Sequence, residues 1–399
     1  MRGLTGSTLA RLVEIDYHQA PISPDGPLLM TYASRLLPCC ALLLPFANAL
    51  QAETTRTYYL AAEEVLWDYA PSHPVNPMHG GAFAEEEKIF VDGNRKDRVG
   101  HQYYKARYVE YTDASFSRVK PRSHEWQHLG LLGPVIRAEV GDTIKVVLKN
   151  KTTDMPVSLH PHGVLYLKDS EGTHYEDGTT GKDKADDAVD PGATHTYVWQ
   201  VPERSGPGPR DTDSIVWLYH SHADEVRDTN SGLMGPILIS RKGQLDRNGK
   251  PRGIDREFVV LFSVLDENES HYLEKNIKAF APETTDREDD GFRESNLMHA
   301  MNGYVYDNLP ALTMRVGERV RWYQLALGTE VDLHTPHWHG NTLLETGRRI
   351  DVLNLLPGTH VTVDMQPDNP GIWMYHCHVN DHIRAGMMAN YTVLPKTGN

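Results

Sequence analysis

Near its C-terminus the chain reads His376-Cys-His-Val-Asn-Asp-His-Ile-Arg-Ala-Gly-Met387, which places three histidines, a cysteine and a methionine within twelve residues. Two imidazoles, a thiolate and a weak axial thioether are the ligand set of an electron-transfer copper site. Neighbouring side chains of a β-strand point to opposite faces, so His376 and His378 point away from Cys377. The segment therefore predicts a strand whose cysteine binds one metal centre while the flanking histidines bind a second.

The composition of the 399-residue chain is typical of a globular protein with room for two full domains. The formal charge of −14 argues against nucleic acid and anionic membranes as partners. Of the three cysteines, Cys39 and Cys40 lie in an apolar N-terminal segment. If that segment is removed, Cys377 is the only cysteine left, so a disulfide framework is excluded and a metal explains the residue better.

A secretory signal is indicated by the segment Arg35–Ala49, which has a basic residue, a short apolar stretch and a small-residue end. The segment is too short and too interrupted by proline for a transmembrane helix. Met30 is the better start of such a signal, because residues 1–29 are polar. We therefore expect residues 1–52 to be a targeting region and the protein to be periplasmic or secreted, with a cytosolic extension as the alternative.

Paired motifs show that the chain contains an internal repeat. His160-Pro-His162-Gly is matched by His337-Trp-His339-Gly. Likewise, Trp217-Leu-Tyr-His220-Ser-His222 is matched by Trp373-Met-Tyr-His376-Cys-His378. Two homologous domains follow from these pairs.

The sequence between the motifs is typical of β-structure. Short β-branched or alternating runs such as Thr143–Lys149 and His360–Met365 are separated by Gly, Pro, Asn and Asp. We predict an all-β protein of two antiparallel Greek-key β-sandwich domains, residues 53–245 and 246–399. The turn-rich, charged segment 241–255 is the predicted linker.

Four histidine-rich elements stand out within this repeat. They are His160-X-His162, His220-X-His222, His334-X-X-His337-X-His339 and the segment 376–387. Alternation along a strand puts both histidines of a His-X-His pair on one face, so each pair can bind one metal site. A single pair is weak evidence, since surface histidines are common, but four such elements in repeated context predict a metal cluster.

With these elements the chain resembles the multicopper oxidases, from about Tyr58 to Leu394. The resemblance implies cupredoxin-like domains, four copper ions per protomer, and oxidation of a reductant coupled to reduction of O2 to water. Matched motif by motif, the copper ligands are His334, Cys377, His382 and Met387 for type 1, His160 and His337 for type 2, and His162, His220, His222, His339, His376 and His378 for type 3.

The first domain lacks a type 1 site. Val157, Ser221 and Leu233 stand at the positions of the type 1 histidine, cysteine and methionine, and none of them can hold a blue copper. The remaining ligands are divided between the two domains, so the cluster must lie at an interface between a first and a second domain. Two-domain members of the family form rings of three subunits, and the resemblance therefore implies a homotrimer.

More specific motifs resemble ceruloplasmin and hephaestin. These motifs are Tyr58–Ser72, Glu294–Gly303 and Gly328–His334. The resemblance implies an Fe(II) site beside the type 1 copper, formed by Glu294, His299, Asp381 and, from a neighbouring subunit, Glu330. Fe(II) is therefore the favoured reductant.

Other functions stay open at this point. Phenols, amines or Cu(I) are alternative reductants, as in a laccase-like phenol oxidase. A copper nitrite reductase is also two-domain and trimeric, but it needs no type 3 pair, so the complete ligand set argues against it. The same completeness argues against a non-catalytic copper store. Asp224 and Asp332 are candidates for orienting ligand imidazoles, and solvation of their loops is the alternative.

Overall fold

Strands dominate the part of the chain that the computed structural model describes, residues 54–396. The strands of the N-terminal half are β1 Thr55–Asp68, β2 Val75–Asn76, β3 Gly81–Ala82, β4 Gln102–Tyr111, β5 Ile136–Glu139, β6 Thr143–Asn150, β7 His160–Pro161, β8 Thr194–Gln200, β9 Ser214–His220 and β10 Met234–Ser240. Those of the C-terminal half are β11 Arg256–Asp266, β12 Leu297–Met301, β13 Thr313–Arg315, β14 Val320–Ala326, β15 Pro336–Trp338, β16 Leu343–Glu345, β17 Arg348–Ile350, β18 His360–Met365, β19 Gly371–Cys377 and β20 Met388–Leu394.

The helices are short and lie between strands. The α-helices are α1 Lys88–Val91, α2 Glu225–Ser231, α3 Leu273–Phe280, α4 Asp290–Ser295 and α5 Asn380–Arg384. Single 3₁₀ segments cover His124–Leu129, Lys168–Ser170, Gly181–Lys184, Glu203–Ser205 and Glu267–Glu269. None of the helices described is both long enough and apolar enough to cross a membrane. The predicted signal at Arg35–Ala49 lies outside the described residues.

Each half of the chain forms two main sheets in the same arrangement. The N-terminal sandwich has the strand orders β4-β1-β6-β8 and β5-β10-β9-β7, and the C-terminal sandwich has β12-β11-β14-β18-β16-β17 and β13-β20-β19-β15. The all-β prediction is confirmed. The sheets are mixed rather than antiparallel, because β1 pairs parallel with β6 and β11 with β14. Alternation along a strand reports which face is buried, but not the direction of the partner strand.

Each sandwich encloses one hydrophobic core. In the N-terminal sandwich, Leu60 of one sheet shares its cluster with Ile237 of the other. The C-terminal core includes Trp322 and also contains Cys377 and Met387. Two of the predicted type 1 ligands therefore lie inside a hydrophobic core, where their side chains have little room to move.

A third cluster joins the two sandwiches. Leu131 and Leu218 from the N-terminal half pack with Leu261 from the C-terminal half, and burial of each such side chain contributes about 2 kcal/mol. Beside them, Lys105 and Glu267 form a fully buried ion pair across the junction. No strand pair within residues 54–396 crosses between the halves. The predicted boundary at 245/246 falls between β10 and β11 and stays a prediction.

Candidate metal centres

The first candidate centre consists of His334, Cys377 and His382, which are all buried. Their ligand atoms lie within 4.8 Å of one another. Cys377 Sγ is 3.9 Å from His334 Nδ1 and 3.6 Å from His382 Nδ1, and the two nitrogens are 3.2 Å apart. A thiolate with two converging imidazoles fits copper, and buried Met387 occupies the same cluster. We call these four residues the type 1 group.

Local chain geometry brings the type 1 group together. Strand β19 ends at Cys377, and α5 turns the chain so that the N–H of Met387 donates to the carbonyl of His382 at 2.9 Å. The N–H of Cys377 then donates to the carbonyl of Met387 at 3.1 Å. Gly386 makes this return possible with a φ of +108°, where an added Cβ would lie 2.8 Å from the ring of Tyr306. The spacing from cysteine to methionine is therefore set by one helical turn and one glycine.

The surroundings of Cys377 favour a thiolate. Burial raises the pKa of Cys377, but hydrogen bonds from His334, His382 and the N–H of Thr335 lower the pKa more strongly, to about 6. Copper binds the thiolate rather than the thiol, so a low pKa prepares the side chain for the metal.

Asp332 holds the outer edge of His334. This carboxylate is fully buried, and its Oδ1 lies 3.1 Å from His334 Nε2 and accepts the N–H of Val264 at 2.7 Å. Its Oδ2 accepts the N–H of Thr329 at 2.8 Å. Burial lowers the pKa of His334, but hydrogen bonds with Asp332 and Cys377 raise it overall. Contact of Nε2 with a carboxylate leaves Nδ1 to face the metal position.

A second cluster contains His337, His339, His376 and His378, which we call the C-terminal histidine group. Strand β15 pairs with β19 so that His337 stands opposite His376. His339 Nε2 and His376 Nε2 lie 3.1 Å apart, and ligand atoms of His337 fall within 4.8 Å of both. The ring of His378 is 5.6 Å from that of His376.

Backbone carbonyls set the orientation of these imidazoles. His337 Nδ1 donates to the carbonyl of Asp351 at 3.0 Å, and His376 Nδ1 donates to the carbonyl of Cys377 at 2.8 Å. Each bond leaves Nε2 as the free nitrogen for a metal. The second bond also joins a histidine of this group to the cysteine of the type 1 group.

The N-terminal sandwich carries a matching cluster of His160, His162, His220 and His222, which we call the N-terminal histidine group. Strand β7 pairs with β9 so that His160 stands opposite His220, as His337 stands opposite His376. His162 Nε2 and His220 Nε2 lie 3.2 Å apart. Neighbouring rings in the group are separated by 5.3–5.6 Å.

The two histidine groups do not meet within one chain. Across residues 54–396, every ring contact and hydrogen bond between ligand histidines of these groups stays inside one group. Each group offers imidazole nitrogens aimed at a common point, but each is half of the predicted set of eight.

Comparison with known proteins identifies the source of this arrangement. Two family models, both described as multicopper oxidase, match residues 109–244 and 276–397. The chain belongs to the multicopper oxidase family. Copper as the cofactor, implied earlier by the resemblance, is thereby confirmed.

Relatives of this multicopper oxidase chain include ferroxidase HEPHL1 of Homo sapiens, 45% identical over 361 residues, hephaestin of Homo sapiens, 44% over 347, and ceruloplasmin of Homo sapiens, 43% over 345. The matches cover 85–89% of this chain and 29–31% of each relative. The chain thus spans about a third of the length of these relatives. The predicted kinship with ceruloplasmin and hephaestin is confirmed.

Solved structures of the family share the fold. A multicopper oxidase crystal structure aligns with a TM-score of 0.53 at 18% identity, covering 86% of this chain and 90% of that one. The blue copper oxidase of Nitrosomonas europaea aligns with a TM-score of 0.51 at 17% identity, covering 86% of both chains. At this identity the likeness supports the cupredoxin-type fold alone.

The predicted iron-site residues differ in burial in this multicopper oxidase chain. His299 is buried, with its ring 5.2 Å from that of the type 1 ligand His382 and its Nδ1 3.0 Å from the carbonyl of Leu297. Glu294 lies in the last turn of α4, close to His299 in sequence, and is exposed, and Asp381 is exposed on α5. Within residues 54–396, no hydrogen bond joins either carboxylate to His299.

Glu330, predicted to act in a neighbouring subunit, is exposed. It lies in the loop that leads to the type 1 histidine, two residues before buried Asp332. Asp224, the other candidate for orienting an imidazole, is also exposed and precedes α2. Its side chain makes no hydrogen bond to a histidine in the described part of the chain.

Sequence reasoning missed two acidic residues, Glu225 and Asp228, that contact the segment Ser221–His222. Glu225 Oε2 lies 3.0 Å from His222 Nε2. Asp228 is fully buried, accepts the hydroxyl of Ser221 at 2.6 Å and lies 2.8 Å from His271 Nε2. The spacing of three residues from His222 could have indicated Glu225. The contact of Asp228 with His271 spans 43 residues and has no local signal.

In the N-terminal sandwich, a hydrogen-bond network occupies the position that is equivalent to the type 1 group. Ser221 Oγ accepts the N–H of Ser158 at 2.9 Å, just as Cys377 Sγ accepts the N–H of Thr335 at 3.4 Å. The backbone thus keeps the same shape while the side chain has changed from a metal ligand to a hydrogen-bonding hydroxyl.

Proposed function

We propose that this chain is a subunit of a ferroxidase, which transfers electrons from Fe(II) to O2 through type 1, type 2 and type 3 copper. The observation that carries the proposal is His299. A buried imidazole packs 5.2 Å from the type 1 ligand His382, and the exposed carboxylates of Glu294 and Asp381 lie close in sequence to His299 and His382 respectively. The relative HEPHL1 is named a ferroxidase, which supports the same substrate.

Separate groups of residues would bind iron and copper. Glu294, His299, Asp381 and a neighbouring subunit's Glu330 would bind Fe(II), since carboxylates and an imidazole favour Fe(III) over Fe(II) and so ease loss of an electron. His334, Cys377, His382 and Met387 would hold a type 1 copper, and the two histidine groups would hold the type 2 and type 3 ions. Bound copper supplies one-electron redox chemistry. Four Fe(II) ions give one electron each, and O2 takes up four electrons and four protons to form two waters.

The chain itself supplies the route between the centres. Cys377 is bonded through the backbone to His376 and His378, which belong to the C-terminal histidine group. The hydrogen bond from His376 Nδ1 to the carbonyl of Cys377 adds a second connection of 2.8 Å. Short bonded routes of this kind keep the electron inside the protein, so that reduction of O2 is completed at one site.

We also propose that three chains form a ring in which the N-terminal histidine group of one faces the C-terminal histidine group of the next. The separation of the two groups within one chain supports this arrangement. Exposed apolar side chains lie close in sequence to both groups, namely Leu165 and Leu167 after His162, and Val331 and Leu333 before His334. Such side chains are typical of association surfaces. A monomer in native mass spectrometry that retains full oxidase activity would contradict the ring.

Export to the periplasm or the cell exterior is part of the proposal. It is supported by the signal-like sequence of Arg35–Ala49. N-terminal sequencing of protein recovered from the medium or periplasm tests it, because cleavage should follow the small-residue end of that segment.

The proposed substrate is tested by comparing Fe(II), phenol and Cu(I) turnover in the wild type and in Glu294→Ala. We expect kcat/KM for Fe(II) to fall at least about ten-fold, the effect of about 1.4 kcal/mol of lost transition-state stabilisation, while phenol turnover stays unchanged. Glu288→Ala is the matched control, because Glu288 is also exposed and precedes α4. Unchanged selectivity for Fe(II) in Glu294→Ala would remove the iron site and favour a laccase-like oxidase.

A further inference from the structure

A large cleft lies on a part of the molecule that contains none of the predicted copper or iron ligands. Its volume is about 1010 Å³. One wall comes from β4 and the segment 119–126, and the other comes from the turn at 247–250 and the start of β11. The cleft therefore opens between the N-terminal sandwich and the connection to the C-terminal sandwich.

The lining of the cleft is cationic although the chain as a whole is acidic. Eight Lys or Arg residues line it against four Asp or Glu residues, whereas the whole chain carries a formal charge of −14. Four of the cations are paired with carboxylates: Arg137 makes a two-point ion pair with Glu257 at 3.1 and 2.9 Å, Lys120 pairs with Glu110 at 2.8 Å, Arg56 pairs with Asp142, and Arg256 pairs with Glu318. The excess positive charge therefore belongs to the lining cations that have no carboxylate partner.

Arg107 and Arg122 carry much of this excess. Neither has a carboxylate within salt-bridge distance in the described range 54–396. Arg122 donates to the carbonyls of Gly130 at 2.8 Å and Leu132 at 2.6 Å. These bonds fix the guanidinium in place, but neutral carbonyls do not cancel its charge.

Holding two arginines close together in the cleft raises its electrostatic free energy. Burial and, to a smaller extent, the nearby charge of Arg107 lower the pKa of Arg122 to about 10. An unpaired charge that is partly removed from water is destabilising unless an opposite charge compensates it. Two neighbouring guanidiniums that have no carboxylate partner of their own are the arrangement that an incoming oxyanion would stabilise.

The cleft also offers an aromatic surface. Trp126 lines it and is partly buried, and the guanidinium of Arg137 lies 5.9 Å from the indole centre. A planar ring can stack on such a surface while groups at its edge reach the arginines. The volume is at the upper end of the range for small-molecule sites, so the cleft is far larger than a lone phosphate requires.

We infer that this cleft binds a planar organic anion with two or more carboxylate groups, held by Arg107 and Arg122 and stacked on Trp126. The site is independent of the proposed oxidase activity, since it shares no residue with the metal groups. Two guanidiniums favour a multivalent anion over a monovalent one of the same shape. Because the attraction is electrostatic, added salt weakens it.

The test is isothermal titration of the full-length, copper-loaded protein with benzene-1,3,5-tricarboxylate, and with benzoate as the monovalent ligand of the same ring. The three carboxylates are too far apart to chelate one metal ion, and unchanged visible absorption during the titration checks that copper stays bound. We expect the tricarboxylate to bind at least about ten-fold more tightly than benzoate. Quenching of tryptophan fluorescence should accompany binding and be lost in Trp126→Leu.

Arg107→Gln is the deciding variant, because its side chain makes no hydrogen bond in the described chain and its loss should leave the fold intact. We expect it to weaken tricarboxylate binding at least about ten-fold. Arg122→Gln should do the same, but it also loses the bonds to Gly130 and Leu132. Arg348→Gln is the control, since Arg348 is exposed and lies outside the cleft. Equal affinity for both ligands, or unchanged affinity in Arg107→Gln, would overturn the inference.

Discussion

Replacing Asp332 by asparagine is the sharpest test of how the type 1 group is held. The change keeps the size of the side chain and removes its charge and one acceptor oxygen. Asp332 Oδ1 serves Val264 and His334, and Oδ2 serves Thr329. An asparagine has one oxygen and one NH2 group. At one of these contacts its NH2 group would therefore oppose another hydrogen-bond donor.

The structure sets the size of two effects. First, one buried backbone N–H or the imidazole loses its acceptor, which costs about 1–3 kcal/mol of unfolding free energy. The side chain cannot swing away, since Gly328 approaches it so closely that an added Cβ there would lie 2.0 Å from Asp332 Oδ2. Secondly, loss of a carboxylate behind a ligand histidine lowers metal affinity by about 10- to 100-fold, which corresponds to about 1.4–2.7 kcal/mol.

Two assays separate these effects. Chemical unfolding of the copper-free protein measures the first, and competition with a copper chelator, followed by the visible absorption of cysteine-bound copper, measures the second. Asp224→Asn is the matched control, because Asp224 undergoes the same chemical change but is exposed. If Asp332→Asn bound copper as tightly as the wild type and unfolded at the same denaturant concentration, the assigned role of Asp332 would be wrong.

Three further outcomes are expected. Cys377→Ser should abolish the visible absorption but leave copper bound by the histidine groups, as metal analysis would show. Ser221→Cys should add no second visible absorption per chain, because Val157 supplies no imidazole; a doubled signal would refute the reading of the N-terminal sandwich. Burial lowers the pKa of His128 to about 3 and that of His360 to about 4. The unfolded state therefore takes up more protons below about pH 6.5, and the unfolding free energy falls by about 1–2 kcal/mol per histidine at about pH 5. His360→Phe should reduce this slope, and an unchanged slope would contradict the assignment.

Local patterns were enough to predict the all-β fold and the copper family. The period-two alternation of β-strands places both imidazoles of a His-X-His pair on one face, and the structure brings His337, His339 and His376 together. The short interval from Cys377 to Met387 likewise contains its own turn. Such features depend on neighbours in sequence, which is why they can be read directly from it.

Contacts between distant segments could not be predicted in this way. Asp224 and Asp332 looked alike as sequence candidates, but only Asp332 is buried against a ligand histidine. The carboxylate of Asp228, on α2 of the N-terminal half, lies 2.8 Å from Nε2 of His271 in the C-terminal half, and no periodicity indicates that pair.

The sequence by itself determined the strands, the repeat and the chemical identity of the metal-binding side chains, because each of these depends on residues a few positions apart. Only the tertiary structure decided the parallel pairing of β1 with β6, the separation of the two histidine groups within one chain, and the cationic cleft beside Arg107. Each of the latter results from packing between segments far apart in the chain, where burial and the distance between charges, rather than residue type, set the outcome.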